Sequence, residues 1–329
     1  MLTHYLLTLY RSLTRHRLYA AINVLGLAVG VTVFLVLFLD VRFETSFERW
    51  IPNASQIYVI RTSGVGANAA LGGAYYTMGG LLPELKADYP KLLGTRIRGY
   101  SGSVRDGATV TPETFEKVDP TFFQVFDLPL IAGDKATALR RPDDVVLTQA
   151  KAKQYFGDVN PMGRRITLAF DSEVRAYRVA GVLKDPPKST DLSLDFLAPL
   201  KDPTDADDPW WHHWGSTHLA TYLRFASPDE ARALDDRLDG FTDRHGRKDL
   251  GPNAHTTFRL RTYPVLAMHL HDARDLSAKD AVLVAALGAV GLLTLLLAAV
   301  NYVNLATARA GLRAREVAVR KVMGATGRR

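Results

Sequence analysis

Few residues in this chain have types and spacings that could do chemistry on a substrate. His212-His213 lies between Trp211 and Trp214, and His269-x-His271 would put two imidazoles on one face of a strand. Either pair invites a metal reading. The chain has no cysteine, and no H-E-x-x-H spacing supplies a helical zinc site. The histidines are therefore assigned to surface or packing roles, with no metal and no cofactor expected. Asp143-Asp144 and Asp207-Asp208 read as solvated loop acids and not as a general acid/base pair. No G-x-x-x-x-G-K-[ST] loop is present to cradle phosphates, and no G-x-S-x-G elbow presents a nucleophile. Enzymatic activity is not expected of this chain, and any ATP it depends on must be hydrolysed by another protein.

The residues that do form a pattern lie near the C-terminus. Arg313-Ala-Arg-Glu-Val-Ala-Val-Arg-Lys-Val-Met-Gly-Ala325 sorts cleanly as a helix. Ala314, Val317, Ala318, Val322 and Ala325 share an apolar face. Arg313, Glu316 and Arg320 share another, with Glu316 four residues ahead of Arg320 for a favourable pair. Gly324 supplies a stop. Such a helix can rest on anionic lipid through its charge, or dock in another protein's groove through its short side chains.

Two uncharged spans position this segment. Leu18 to Leu39 is 22 residues and Ala281 to Ala308 is 28. A membrane-crossing helix needs about 20 apolar residues, so both are predicted to span. The first exceeds the apolar core of a signal peptide and is followed by Asp40-Val41-Arg42 in place of a small-residue cleavage site, so it reads as a retained anchor. Within the spans, Gly26-x-x-x-Gly30 permits close helix contact, and Asn301 and Asn304 are expected to face protein or water.

Charge sets the expected orientation. The chain carries 41 Lys+Arg against 34 Asp+Glu. Arg11, Arg15 and Arg17 precede the first span with no acid. Arg309, Arg313, Arg315, Arg320, Lys321, Arg328 and Arg329 follow the second against Glu316 alone. Basic flanks stay in the cytoplasm, so both termini are expected inside and residues 40–280 outside. These basic residues hug the membrane ends and are not interleaved with stacking aromatics, so no nucleic-acid partner is expected. Residues 1–17, with Leu2, Leu6, Leu9 and Leu13 on one face, suit an amphipathic interfacial helix.

Between the spans, strands alternate with helices. Gln56–Arg61 reads as a strand, the stripe Met78, Leu81, Leu82, Leu85, Tyr89 and Leu92 as a helix, and Thr95–Tyr100 as a second strand. His218–Phe225 and Thr257–Tyr263 bracket a helix opened by the capping box Ser227-Pro-Asp-Glu230. Two β-α-β units around an insertion predict an α+β membrane protein: two transmembrane helices flank a ferredoxin-like subdomain with a β-rich insertion at about 104–214. The insertion is expected to hold a short aromatic helix ending at Phe126, a helix from Thr148 to Phe156 stopped by Gly157, and strands over 165–170 and 174–183. The Pro-rich acidic stretch 201–209 reads as a mobile loop.

Together these motifs resemble a family. Asn301-Tyr-Val-Asn-Leu-Ala-Thr-Ala-Arg309 followed by Arg313-x-x-Glu316-x-x-x-Arg320-Lys321-x-x-Gly324-Ala325 resembles the signature of FtsX/MacB-type ABC-transporter permeases. Ile22 to Gly30, Pro52 to Tyr58, Tyr155 to Gly163, Val179 to Leu183 and Met268-His-Leu270 follow in the family's order. The resemblance implies a periplasmic core domain over 40–280, spans at 18–39 and 281–305, and a cytoplasmic coupling helix over 306–329. Arg313, Glu316, Val317, Arg320, Lys321 and Gly324 would belong to that coupling helix. It implies a cytoplasmic ABC ATPase subunit and a second permease copy or half as partners, with a substrate or periplasmic protein outside. The expected role is to pass ATP-driven motion across the bacterial inner membrane for export or extrusion. Family members continue with further spans, so this chain is expected to be a fragment of a longer permease. A two-span sensor is the alternative from another class, and an FtsX-like regulator of cell-wall hydrolases the alternative within the family.

Overall fold

The computed structural model describes residues 17–64, 73–107, 109–170, 173–204, 208–271 and 281–323. The chain divides into two compact units, one formed by residues 1–45 with 281–329 and the other by Ser46–Asp280. The expected interfacial helix at 1–17 lies, but for Arg17, outside the described residues.

Helix α1, Arg17–Glu44, opens the first unit. It has no proline, and an 18-residue window within Ala21–Glu44 has a mean hydropathy of 2.6, apolar all round. Such a helix is stable only in lipid or inside protein. It runs five residues past the uncharged stretch, through Asp40 and Arg42, to Glu44.

The second unit, named the outer domain after its expected side of the membrane, is built around β1 (Ile57–Gly64), whose side chains alternate between two buried clusters. Ile57 and Val59 join one core; Tyr58 and Ile60 join the other. A strand buried on both faces reads as a continuous apolar run, as Ile57-Tyr-Val-Ile60 does. After the two-residue strand β2 (Gly73–Ala74) comes helix α2 (Leu81–Asp88), which buries Leu81, Leu82 and Leu85. Strand β3 (Leu93–Asp106) is 14 residues long and serves both halves of the domain.

The insertion contains β4 (Thr109–Val118), the aromatic helix α3 (Phe122–Phe126), β5 (Leu130–Gly133) and β6 (Asp144–Thr148). Helix α4 (Gln149–Phe156) follows, its N-terminus capped by the Thr148 hydroxyl, which accepts from the Lys151 N–H; it stops at Gly157, whose φ of +62° favours glycine. Strands β7 (Arg165–Phe170), β8 (Glu173–Leu183) and β9 (Phe196–Pro199) complete it. The domain closes with β10 (Ala220–Arg224), α5 (Pro228–His245), α6 (Arg247–Leu250) and β11 (Phe258–Pro264).

The strand order is the ferredoxin-like one. β11, β1, β10 and β3 lie side by side, all antiparallel, so the fourth, first, third and second strands of the β-α-β pairs are adjacent. α2 and α5 cover one face through Leu81, Leu85, Leu234, Leu238 and Phe241. Helix α3 covers the other with Phe122, Val125 and Phe126. Each such side chain contributes about 1.5–3 kcal/mol when fully buried.

The insertion is more than β-rich: its pairings close on themselves. β3 pairs β4, β4 pairs β9, β9 pairs β6, β6 pairs β8, β8 pairs β7, and β7 returns to β3. This is a six-stranded ring with β3 as the strand shared with the ferredoxin-like sheet. Val104, Phe115, Ile166, Leu168, Val179 and Phe196 are among the side chains that fill it. Gly102 is required where β7 crosses β3, because a Cβ there would overlap the Ala169 carbonyl and the Phe170 and Phe115 side chains.

Helix α7, Ala281–Val322, ends the description and packs against α1 within the first unit. It is 42 residues long without a break.

Candidate functional site

The two-helix unit makes its contact through small residues. A Cβ on Gly30 would collide with the Ala298 Cβ and lie 3.6 Å from the Thr294 carbonyl; one on Gly26 would touch the Asn301 Nδ2 at 3.4 Å. Further along the same antiparallel seam, a Cβ on Gly291 would approach the Leu37 Cβ at 3.2 Å. Gly26 and Gly30 therefore lie on the packing face, and Asn301 faces it from α7. Asn301 and Asn304 are both exposed in this unit. The sequence reading missed Asn23, whose Oδ1 is buried and has no hydrogen-bond partner among the described residues. Its signal was available, as a lone amide in an apolar span is costly without a partner.

At the other end of α7 the backbone stays helical through residues 306–322. Positions 316 and 320 thus lie one turn apart on one face. Lys321 is exposed. The side chains of Arg313, Glu316, Val317 and Arg320, and Gly324 as a whole, lie outside the described residues.

The outer domain concentrates its polar chemistry in buried ties. Arg96 on β3 is 6% exposed. Its Nε and Nη2 donate to Asp119 Oδ2 and Oδ1 at 3.0 and 2.8 Å, and its Nη1 donates to the Gly79 carbonyl at 2.6 Å. Asp202 lies 2.8 Å from the same Nη1. One guanidinium therefore joins β3, the approach to α2, the end of β4 and the loop after β9. Asp144 corrects the sequence reading. It is fully buried, pairs with Arg178 and accepts from the Arg141 N–H, so it is a structural acid at the start of β6 and not a solvated loop acid. Asp143 is the more exposed of the two, and Asp207 lies outside the described residues.

Three glutamates have carboxyls pushed up to about 7, in each case chiefly by burial: Glu48, Glu84 on α2 and Glu116 on β4. Their surroundings differ. Thr190 and Asp191 hold Glu48; His245 stands 3.7 Å from Glu84; Glu116 lies over Gly99 on the neighbouring strand. Perturbed carboxyls mark function only where a cleft and a nucleophile or ligand set converge on them. The groove lined by Tyr89, Lys91, Phe225 and Arg237 is open to solvent, about 330 Å³, and includes none of the three.

The histidines pack. His269 is 6% exposed and belongs to a 3-10 turn, so the strand geometry that would have aligned it with His271 is absent. The His271 side chain lies outside the described residues. The His213 ring lies tilted against the exposed Trp210, while Trp211 and Trp214 are buried. Among the described residues no three His, Asp or Glu side chains converge as metal ligands would.

Residues 20–241 match the family described as the MacB-like periplasmic core domain. Solved structures are similar to part of the chain. A domain of a protein assigned as a permease from Porphyromonas gingivalis is 23% identical with a TM-score of 0.54, covering 66% of this chain and 92% of that one. The periplasmic region of MacB from Actinobacillus actinomycetemcomitans is 18% identical with a TM-score of 0.41, covering 64% and 90%. The extracellular domain of the noncanonic ABC-type transporter YknZ from Gram-positive bacteria is 14% identical with a TM-score of 0.43, covering 62% and 98%. No curated protein sequence matches the chain.

Proposed function

The chain belongs to the family of MacB-like periplasmic core domains, and from that premise we propose that it is a permease subunit that passes ATP-driven motion of a partner ATPase across the inner membrane to its outer domain, for export or extrusion. In this reading both termini are cytoplasmic, Ser46–Asp280 is periplasmic, and a second permease copy or half completes the transmembrane assembly. The basic residues that flank both spans support the orientation.

The observation that carries the reading is the length of α7. Forty-two helical residues extend roughly 63 Å at about 1.5 Å per residue, twice the hydrocarbon thickness of about 30 Å. Its apolar part, Ala281–Thr307, accounts for the crossing. The remaining turns form a continuous rod that carries the Arg313–Lys321 motif beyond the bilayer. A rigid helix with a charged face and a short-side-chain face suits a docking element, in which Glu316 and Arg320 meet complementary charges and Val317 enters an apolar groove.

Charge reversal tests this. Glu316→Arg and Arg320→Glu should each lower recovery of a copurifying ATPase at least several-fold, as truncating a charge pair at an interface costs on the order of 2 kcal/mol or more, while insertion in the membrane is unchanged. Undiminished ATPase recovery with both variants contradicts the docking role.

A further inference from the structure

We infer that Phe47, Glu48, Asp191 and His269 form a clasp that joins the two ends of the outer domain to the barrel insertion as one mechanical body. Ser46 and Asp280 bound the domain, so Phe47 and His269 stand close to its entry and exit. Their rings stack with centroids 3.4 Å apart and planes 7° from parallel. The His269 Nδ1 lies 2.9 and 3.1 Å from the two oxygens of Asp191. Asp191 belongs to the segment between β8 and β9, which is part of the insertion.

Asp191 also faces the other end. Its backbone N–H donates to Glu48 Oε1 at 2.6 Å, and the neighbouring Thr190 hydroxyl donates to Glu48 Oε2 at 2.9 Å. The Glu48 N–H donates in turn to the Ser189 carbonyl at 3.2 Å. One residue thus holds the exit with its carboxylate and the entry with its amide. Glu48 is fully buried and adopts a φ of +59°, a conformation uncommon for a glutamate and maintained only where the surroundings fix it. Ile51, Leu192, Val265 and Met268 belong to the apolar cluster beside the clasp, in which Glu48 and His269 are buried while Asp191 stays at the surface.

The arrangement makes the links interdependent. Releasing His269 removes the tie between the exit and the Asp191 carboxylate, which loosens the turn whose amide and hydroxyl hold Glu48. Its consequence for coupling rests on the proposed function: displacement arriving at either end is delivered to the barrel insertion together with the ferredoxin-like sheet, and not to the sheet alone.

Hydrogen exchange of the full chain in lipid nanodiscs, without nucleotide or partner, tests the clasp separately from that function. His269→Gln should raise exchange roughly tenfold in 46–51, 189–192 and 265–269 together, while α5 keeps its protection. Thr190→Val, which removes one hydroxyl and conserves volume, should raise exchange in the same three segments by a smaller factor, and it decides the matter if His269→Gln unfolds the whole domain. Faster exchange confined to the substituted segment, with the other two unchanged, overturns the clasp. A cooperative response combined with undiminished ATPase recovery in the Glu316 and Arg320 variants would keep the clasp and remove the coupling role.

Discussion

The two-helix unit and the outer domain are held together by opposite means. α1 and α7 meet where side chains are missing: Gly30 sits against Ala298, and Gly291 against Leu37. Lipid tails are as apolar as the helices, so close backbone approach and van der Waals contact must supply the association. The outer domain instead buries large side chains on both faces of one sheet, and in that interior it places charges. Arg96 with Asp119, Asp144 with Arg178, and Glu48 with Thr190 and Asp191 each join segments distant in sequence. Apolar burial supplies the stability there. The buried polar ties decide which loops meet.

Breaking each kind of contact sharpens the contrast. All four tryptophans lie in the outer domain, so their fluorescence reports its unfolding alone. Arg96→Met leaves the buried Asp119 with the backbone N–H of residue 96 but without its cationic partner, and should cost about 3–5 kcal/mol, read as a lower midpoint in tryptophan-monitored denaturation, with the helix pair intact. A smaller effect is expected from Glu48 and depends on pH. Its carboxyl stands at 4.5 when free and at about 7 in the fold, so the folded state binds the proton more tightly. Stability is full below about 4.5, falls as pH rises to about 7, and is level above; a shift of this size corresponds to about 3 kcal/mol. Asp191 adds to the rise by like charge, while its amide and the Thr190 hydroxyl oppose it. Glu48→Gln keeps one oxygen, at the Oε1 position that both the Asp191 amide and, at 3.1 Å, the Thr190 hydroxyl reach, and should flatten the stability profile between pH 4.5 and 7. A profile as steep as that of the parent would contradict the assignment.

In the helix pair, Gly30→Leu should force α1 and α7 apart at a cost of about 1–3 kcal/mol. The readout is the disulfide yield of a Leu37→Cys, Gly291→Cys pair, in a chain with no other cysteine. Gly26→Leu should lower the yield less, since its first contact is the end of the Asn301 side chain at 3.4 Å. Neither should move the tryptophan-monitored transition. The smallest change expected is Ser227→Ala, which removes the hydroxyl that accepts from the Glu230 N–H at the start of α5. It should destabilise the outer domain by about 1 kcal/mol in the same assay.

The local elements were legible where one residue carries a local cause. The Ser227 cap with Pro228 opened α5, Gly157 closed α4, and the run Gln56–Arg61 read as a strand. Alternation of strand and helix was enough to expect the ferredoxin-like subdomain, because the order of the β-α-β units constrains their pairing. Closure of the insertion into a ring was not legible. It depends on β7 pairing with β3 across more than sixty residues, and β6 and β9 are only five and four residues long, too short for a period of two to stand out. The buried acids were equally hidden. Nothing in the local sequence marks Glu48 or Asp144 as buried, since each meets a partner distant in sequence, Asp191 or Arg178. The small-residue seam lay in between: Gly26-x-x-x-Gly30 was visible, but Gly291 becomes informative only once α7 is laid antiparallel to α1.

In the proposed function the outer domain and the far end of α7 work on opposite sides of a membrane. Single cysteines at Trp210, which is 59% exposed, and at Lys321, also exposed, test it against a cysteine-free background. In sealed cells with a permeable outer layer, a membrane-impermeant maleimide should label Trp210→Cys at once and Lys321→Cys only after the inner membrane is opened. Equal labelling of both before opening, or labelling of Lys321→Cys alone, would contradict the account.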